Sequence, residues 1–386
     1  MAKTFDVAVI GGGVVGLAIL RRFAMAGLDC VLLERGNDIL SGASKGNSAL
    51  LHTGFDAPPG SLELACMQAG HAEYLAIRER LNLPLVRSGA LVVAWSEAER
   101  DRLGAIIDQA HANGVADVRP VNPAELGRME PNLSPGATGA VLVPGEHIID
   151  PWSAPLAYAH QALAHGAEIL RRAEVTGGEF AAGLWTLSSL AGTVRARLVI
   201  NAAGNLGDRV ETILRPSPFT IHPRRGQFVV FDKPAAHLVS AIILPVPTER
   251  TKGVVLFRTA FGNLAIGPTA EDVDEREVAA TDTQTLNRLR ERALAMLPAL
   301  EGVGVNAVYA GLRPATQFKD YVIEAVVPER WITVAGIRST GLTAALGIAC
   351  HVEGLYARHF GELPSPPAPI WTPVPNLTEG LPRPYM

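Results

Sequence analysis

The chain has 386 residues, of which 48% are hydrophobic and 19% charged, with 38 glycines and 28 prolines. That composition excludes a disordered chain, a collagen and a coiled coil, and the length suits roughly two or three domains. Lys+Arg 34 against Asp+Glu 38 gives a net charge of −4, which argues against broad electrostatic binding of nucleic acid or anionic lipid.

Residues 5–10 form a short apolar run that reads as a buried parallel strand, ending in Gly11-Gly12-Gly13. Helix formers follow over 14–26 and stop at Gly27. Cys30 to Leu33 is a second buried strand, closed by Glu34, which completes a βαβ unit. A small polar segment over 41–48 leads to a long amphipathic helix at about 61–81. Ser96 with Glu99 is a capping box for another helix, ending near Gly114. Asn122-Pro123 opens a short helix, and Asp150-Pro151 opens one that ends near Gly166. Residues 168–200 read as strands, the last being Leu198 to Ile200 before Asn201-Ala202-Ala203-Gly204. Short strands and turns fill 216–275, and a helix spans about 280–297. Trp331 to Gly336 is a strand feeding a helix over about 342–360. The stretch 364–386 is dense in proline and reads as an extended strap.

Buried strands open and close the chain around an antiparallel-looking middle. The expected fold is therefore α/β: a Rossmann-like dinucleotide domain assembled from non-contiguous segments, plus an α+β substrate domain with an antiparallel sheet. The segments expected are 1–82, 140–215 and 300–363 for the first domain and 83–139 and 216–299 for the second. Cys30, Cys66 and Cys350 make no Cys-x-x-Cys pair, so no metal site or disulfide framework is expected. No apolar run approaches the ~20 residues of a spanning helix, and no signal peptide is read. A cytoplasmic protein is expected, with peripheral membrane contact left open.

Gly11-x-Gly13-x-x-Gly16 sits between a strand and a helix, where a dinucleotide fingerprint belongs. Gly11 permits the tight turn, Gly13 lets backbone approach a pyrophosphate, and Gly16 lets helix pack on strand. The helix N-terminus offers N–H groups to phosphate. Glu34 stands where a carboxylate accepts ribose hydroxyls and disfavours a 2′-phosphate. Arg35 beside it is a further cofactor candidate, whose alternative is a solvated side chain. The fingerprint does not choose FAD over NAD. The small-residue segment with Ser41, Ser44, Asn47 and Ser48, the turn at Ala203-Gly204, and Gly336 with Gly341-Leu342-Thr343 add further glycine turns, as a long FAD site would use.

Over residues 5–360 the sequence resembles the FAD-dependent oxidoreductases of the D-amino-acid-oxidase superfamily. Within it the chain is similar to the type II glycerol-3-phosphate dehydrogenase/oxidase and L-2-hydroxyglutarate dehydrogenase-like proteins. The matching stretches run from Ile10 to Gly16, Ser48 to Phe55, Asn201 to Gly204, Arg224 to Phe228, Gly262 to Asp272, Gly311 to Pro314 and Gly336 to Thr343. The resemblance implies non-covalent FAD, two domains and C–H oxidation at the flavin. It adds Val175 and Gly311 to the cofactor candidates. It implies His52 as the flavin-adjacent base, Arg313 as the substrate-anion arginine, and Arg258, Arg225 and Ser339 as further substrate contacts. Three departures separate this chain from the glycerol-phosphate group: Arg338-Ser339-Thr340-Gly341 replaces Glu-Ser-Pro-Gly, Gln227 replaces a glutamate, and Phe261 replaces a histidine.

The expected activity is oxidation of a small anionic 2-hydroxy compound by hydride transfer to flavin N5, followed by electron delivery to oxygen, a quinone or another carrier. An imidazole has the basicity to take the hydroxyl proton, and a guanidinium can hold an anion through two hydrogen bonds. For His52 the alternative is a flavin-positioning or structural role. For the whole chain the alternatives are an amino-acid or secondary-amine oxidase and a non-catalytic FAD-fold binding protein.

Overall fold

A computed structural model of the chain describes residues 3–247, 253–376 and 378. Among these, eight strands form a first sheet and nine a second. In the first sheet, Thr4–Ile10 lies parallel to Cys30–Leu33 on one side and to Gly192–Asn201 on the other. The far edge of Gly192–Asn201 is shared. Its first half pairs with the hairpin strand Leu184–Ser189, and its last residues pair in parallel with Trp331–Ala335. Each central strand is buried on both faces. Val7 and Val9 enter one core, and Ala8 and Ile10 enter another, which is why the run is apolar throughout.

Three helices pack together over the first of those cores: Val14–Met25, Leu62–Leu81 and Gly341–His359. The last two cross at backbone contact. A Cβ added to Gly70 would lie 2.1 Å from the Thr343 carbonyl oxygen, and one on Gly347 would lie 2.1 Å from that of Cys66. Only glycine permits this approach.

The second sheet is built around the long strand Ile221–Phe231, which pairs antiparallel with Val305–Thr316 along its whole length. Its faces are distinct. Val229 and Phe231 pack with Leu289, Ala293 and Met296 of the helix Thr283–Met296. Phe228 joins Leu50 and Phe55 on the opposite face, where its ring stacks on Tyr309 at 4.5 Å.

Several boundaries differ from expectation. Val305–Thr316 and Gly139–Val143, expected with the first domain, hydrogen-bond into the second sheet. The helix expected from Asp150-Pro151 begins at Ser153 instead. Asp150 is occupied by the turn itself, accepting from the Trp152 N–H at 3.0 Å and from the Ser153 hydroxyl. The helix after Ser96 is split into Glu97–Arg100 and Leu103–Ala112. The Glu99 carboxylate accepts from Trp95 N–H rather than from Ser96, so that capping box is one residue wide of its usual closure.

Residues 362–376 form neither helix nor strand. They cross the ends of two helices. Gln161 donates to the Ile370 carbonyl at 2.8 Å, and Val374 N–H donates to the Leu81 carbonyl at 3.1 Å. Residue 377 and residues 379–386 of the expected strap, with Pro382 and Pro384, lie outside the described residues, as do 248–252 in the middle segment.

A bidentate ion pair fastens the helix Gly207–Glu211 to the segment before Thr283. Arg276 reaches Asp208 at 2.6 and 3.0 Å, and Asp208 also accepts from Ile221 N–H at 2.9 Å. Burial alone would raise the Asp208 carboxyl; the guanidinium and the N–H donors hold it below its ordinary range. Asp208→Ala leaves the Arg276 charge without its partner and should cost about 3–5 kcal/mol, read as a lower urea midpoint. Because the folded pKa is depressed, this stabilisation is complete above about pH 4 and is lost as pH falls through the folded value. A midpoint equal to the parent's at pH 7 would show that the pair contributes nothing.

Candidate functional site

The glycine turn closes as its spacing demands. Gly11 has φ 110°, and a Cβ there would lie 2.5 Å from the Ala202 carbonyl oxygen. A Cβ on Gly16 would fall 1.9 Å from the carbonyl oxygen of Gly11, so helix and strand are in backbone contact. Gly16→Ala must push them apart. The expected result is a protein that loses bound flavin absorbance on gel filtration, and full retention would remove the crossing from the site's requirements.

Gly13 sits at the N-cap of Val14–Met25 and supplies no side-chain cap. A Cβ on Gly13 would come 3.1 Å from the Ser44 hydroxyl, which accepts from Val14 N–H at 3.0 Å. A helix N-terminus with a bare glycine lip is a cradle for phosphate. Glu34 is buried at the strand end, accepting from Gly12 N–H at 2.7 Å and Gly36 N–H at 2.6 Å. Its carboxylate therefore lies over the same turn. The residues present fit a dinucleotide.

The candidates nearest this turn lie in segments bonded to it or to one another, with one exception. Ala202 N–H bonds Ile10, which sets Ala203 and Gly204 beside Gly11. Ala173 N–H bonds the Glu34 carbonyl, and Val175 follows two residues on. The Ser41 hydroxyl bonds the Asp38 carbonyl, while Asn47 bonds Ser44 and Ala49, folding the segment over 41–48 upon itself. Ser48 is half-buried within it. Gly46 crosses Gly311 so closely that a Cβ on either would strike the other's backbone, at 2.5 and 2.2 Å. Gly311 is thus a crossing point between segment and sheet. Arg35 is the exception: its guanidinium pairs with Glu277 at 2.9 Å.

A second helix N-terminus, that of Gly341–His359, has no cap from the Thr340 side chain. Thr343 in its first turn accepts from His52 N–H at 3.1 Å and donates to the Leu50 carbonyl at 3.2 Å. His52 is thereby tied to the first turn of this helix through Thr343. The His52 ring meets a residue that sequence reasoning missed. Its Nδ1 lies 2.7 Å from Oε2 of Glu146, whose other oxygen accepts from Thr53 N–H at 2.6 Å and the Thr53 hydroxyl at 2.9 Å. The His52 side chain keeps 23% of its surface exposed and Glu146 keeps none, so a small molecule can reach only the histidine. The available signal was a carboxylate in the turn between two apolar strands, Gly139–Val143 and His147–Ile149, where a charge needs a reason.

The strand faces sort the arginines. Arg313 stands opposite Arg224, in step with Tyr309 opposite Phe228, so both arginines share the face that carries Leu50 and Phe55. Arg313 donates to the carbonyls of Arg224 at 3.3 Å, Arg225 at 3.4 Å and Thr269, and among the described residues it forms no salt bridge with a carboxylate. Burial first, then the neighbouring Arg224, push its pKa down to about 10, which leaves it a cation at neutral pH. Gly226 makes room for it: a Cβ there would lie 2.8 Å from the Arg313 Nη2.

Arg225 and Arg258 fall on the other face. Arg225 shares the side of Gln227 and is held by Glu271 at 2.5 Å, with Asp282 at 3.4 Å. Arg258 has the parity of Leu256, which packs under the helix Thr283–Met296, and Arg258 acts on the buried Glu130. By strand parity both lie on the face opposite Arg313. Ser339 is exposed, between Arg338 and Thr340, which are both bonded to Glu63 at 2.9 and 2.8 Å.

The family model described as FAD dependent oxidoreductase (DAO) matches residues 6–353. Glycerol 3-phosphate dehydrogenase of Caloramator mitchellensis is 34% identical over 349 residues, covering 90% of this chain and 73% of that protein. L-2-hydroxyglutarate dehydrogenase of Salmonella houtenae is 30% identical over 291 residues, 72% of this chain and 68% of that protein. The solved structure of dithionite-reduced L-alpha-glycerophosphate oxidase from Mycoplasma pneumoniae with FAD bound superposes with a TM-score of 0.88 at 26% identity, over 96% of this chain and 98% of that one. Nearly the whole described chain, from its first strand to its last helix, follows one family pattern, and it belongs to the FAD-dependent oxidoreductases of the DAO family.

Proposed function

We propose that this enzyme oxidises a small anionic 2-hydroxy compound held between Arg313 and His52. The observation that carries the reading is Arg313: a largely buried guanidinium that no described carboxylate pairs with, on the sheet face that carries Leu50 and Phe55. Such a group is a ready partner for a carboxylate or phosphate. FAD would be held by Gly11, Gly13, Gly16, Ser44 and Glu34 at its dinucleotide end and by Gly341, Leu342 and Thr343 at its flavin end. When bound, FAD would supply the two-electron acceptor for the substrate C–H bond that is oxidised.

The chain's own residues do the rest. Arg313 fixes the anion and so the orientation of the C–H bond. His52 meets Glu146 through Nδ1, so Nε2 is the nitrogen that takes the hydroxyl proton. The ketone leaves, and the electrons pass to oxygen, a quinone or another carrier. Related proteins named glycerol 3-phosphate dehydrogenase and L-2-hydroxyglutarate dehydrogenase support an anionic hydroxy substrate. Among the described residues no helix is long and apolar enough to cross a membrane, and the reading is of a cytoplasmic enzyme.

Anaerobic mixing of the yellow protein with 2-hydroxy acids, polyol phosphates and amino acids tests this. Bleaching of the flavin by one of the anionic hydroxy compounds, and not by its neutral analogue, is the expected result. Bleaching by amino acids alone would replace it with the amine reading. No bleaching across the panel would leave a binding protein.

A further inference from the structure

We propose that Glu146 is a positioning residue that sets which nitrogen of His52 carries the hydrogen; this rests on the reading of His52 as the base. Glu146 is fully buried in the turn that enters His147–Ile149. That strand pairs antiparallel with Leu50–Leu51, with Leu51 opposite His147, so the pairing brings the carboxylate to His52. One oxygen is taken by the N–H and hydroxyl of Thr53, and the other meets His52 Nδ1 at 2.7 Å.

A carboxylate only accepts. The hydrogen of a neutral His52 ring must then sit on Nδ1, which leaves Nε2 as the acceptor that base catalysis needs. Thr53 makes the arrangement one-way. Its N–H requires an acceptor, so in Glu146→Gln the amide oxygen stays at Thr53 and the amide NH₂ turns to His52. Nδ1 then becomes the acceptor, and the hydrogen moves to Nε2, the wrong place. The substitution keeps shape and both Thr53 bonds while reversing the ring.

The test is single-turnover flavin reduction in the FAD-loaded protein, using the hydroxy substrate that bleaches the parent. Glu146→Gln should retain FAD and the parent's half-saturation, because Arg313 still holds the anion, yet reduce the flavin about 10²-fold or more slowly. Glu146→Asp, still an acceptor only, should run at least about tenfold faster than Glu146→Gln. In a His52→Gln background, Glu146→Gln should add no further loss, since it acts through the ring. Equal rates for Glu146→Gln and the parent would overturn the proposal. So would a loss that multiplies with that of His52→Gln, the mark of a structural role. His52→Gln at parent speed would instead overturn the base assignment itself.

Discussion

Replacing His52 with Gln should slow flavin reduction by about 10²–10⁴-fold while FAD stays bound. A substrate hydroxyl does not give up its proton at neutral pH, so hydride cannot leave carbon readily unless a base receives that proton. Glutamine fills the space and keeps some hydrogen bonding, but its amide is no base. His52→Ala should be comparably slow. The parent's own rate should fall at acid pH, as the imidazole takes a proton and can accept no other. If the substrate is an amine, the result changes. The neutral amine already carries its lone pair, so reduction follows amine deprotonation and His52→Gln costs little. Single-turnover rates for the parent and both variants, with FAD occupancy measured, separate the two.

Removing the guanidinium of Arg313 should weaken substrate binding by about 2–5 kcal/mol. That loss belongs to the anion. The carbonyls of Thr269, Arg224 and Arg225 also lose their donor, in free and bound protein alike, so that loss falls on folding stability rather than on affinity. Arg313→Lys keeps the charge but not the fork, and a single ammonium cannot serve those carbonyls and a two-oxygen anion together. A marked loss is expected there too. Substrate titration of the oxidised protein, followed through flavin absorbance, measures both. Parent-like affinity in Arg313→Ala would place the anion elsewhere.

The first sheet was legible because its strands are buried on both faces and announce themselves as unbroken apolar runs closed by glycine. Gly11, Gly16 and Glu34 follow from the same local grammar, in which each residue answers a need a few positions away. The second sheet was not. Val305–Thr316 pairs with a strand more than 70 residues earlier in the chain, and nothing local says so. The arginines show the consequence. Residue type marks Arg225, Arg258 and Arg313 alike, but a strand's two faces differ by one residue of register, which only the pairing reveals. Glu146 left only a local hint, and its partner was hidden for a related reason: 94 residues separate it from His52, and the pairing of His147–Ile149 with Leu50–Leu51 brings them together.

The shared edge of Gly192–Asn201 has a consequence for how the protein is made. Its last residues wait for Trp331–Ala335, and the helix that holds Thr343 against His52 ends at His359. A growing chain therefore has its phosphate turn long before it has the other end of the flavin site. The first βαβ unit can form early in synthesis, but the flavin half waits for residues 331–359. Chains ending before about residue 330 should emerge colourless, and yellow colour should appear only once residues 331–359 have been added. Pairing between strands so far apart in sequence is slow, which makes the arrival of residues 331–359, rather than the first βαβ unit, the step at which the holoenzyme becomes possible.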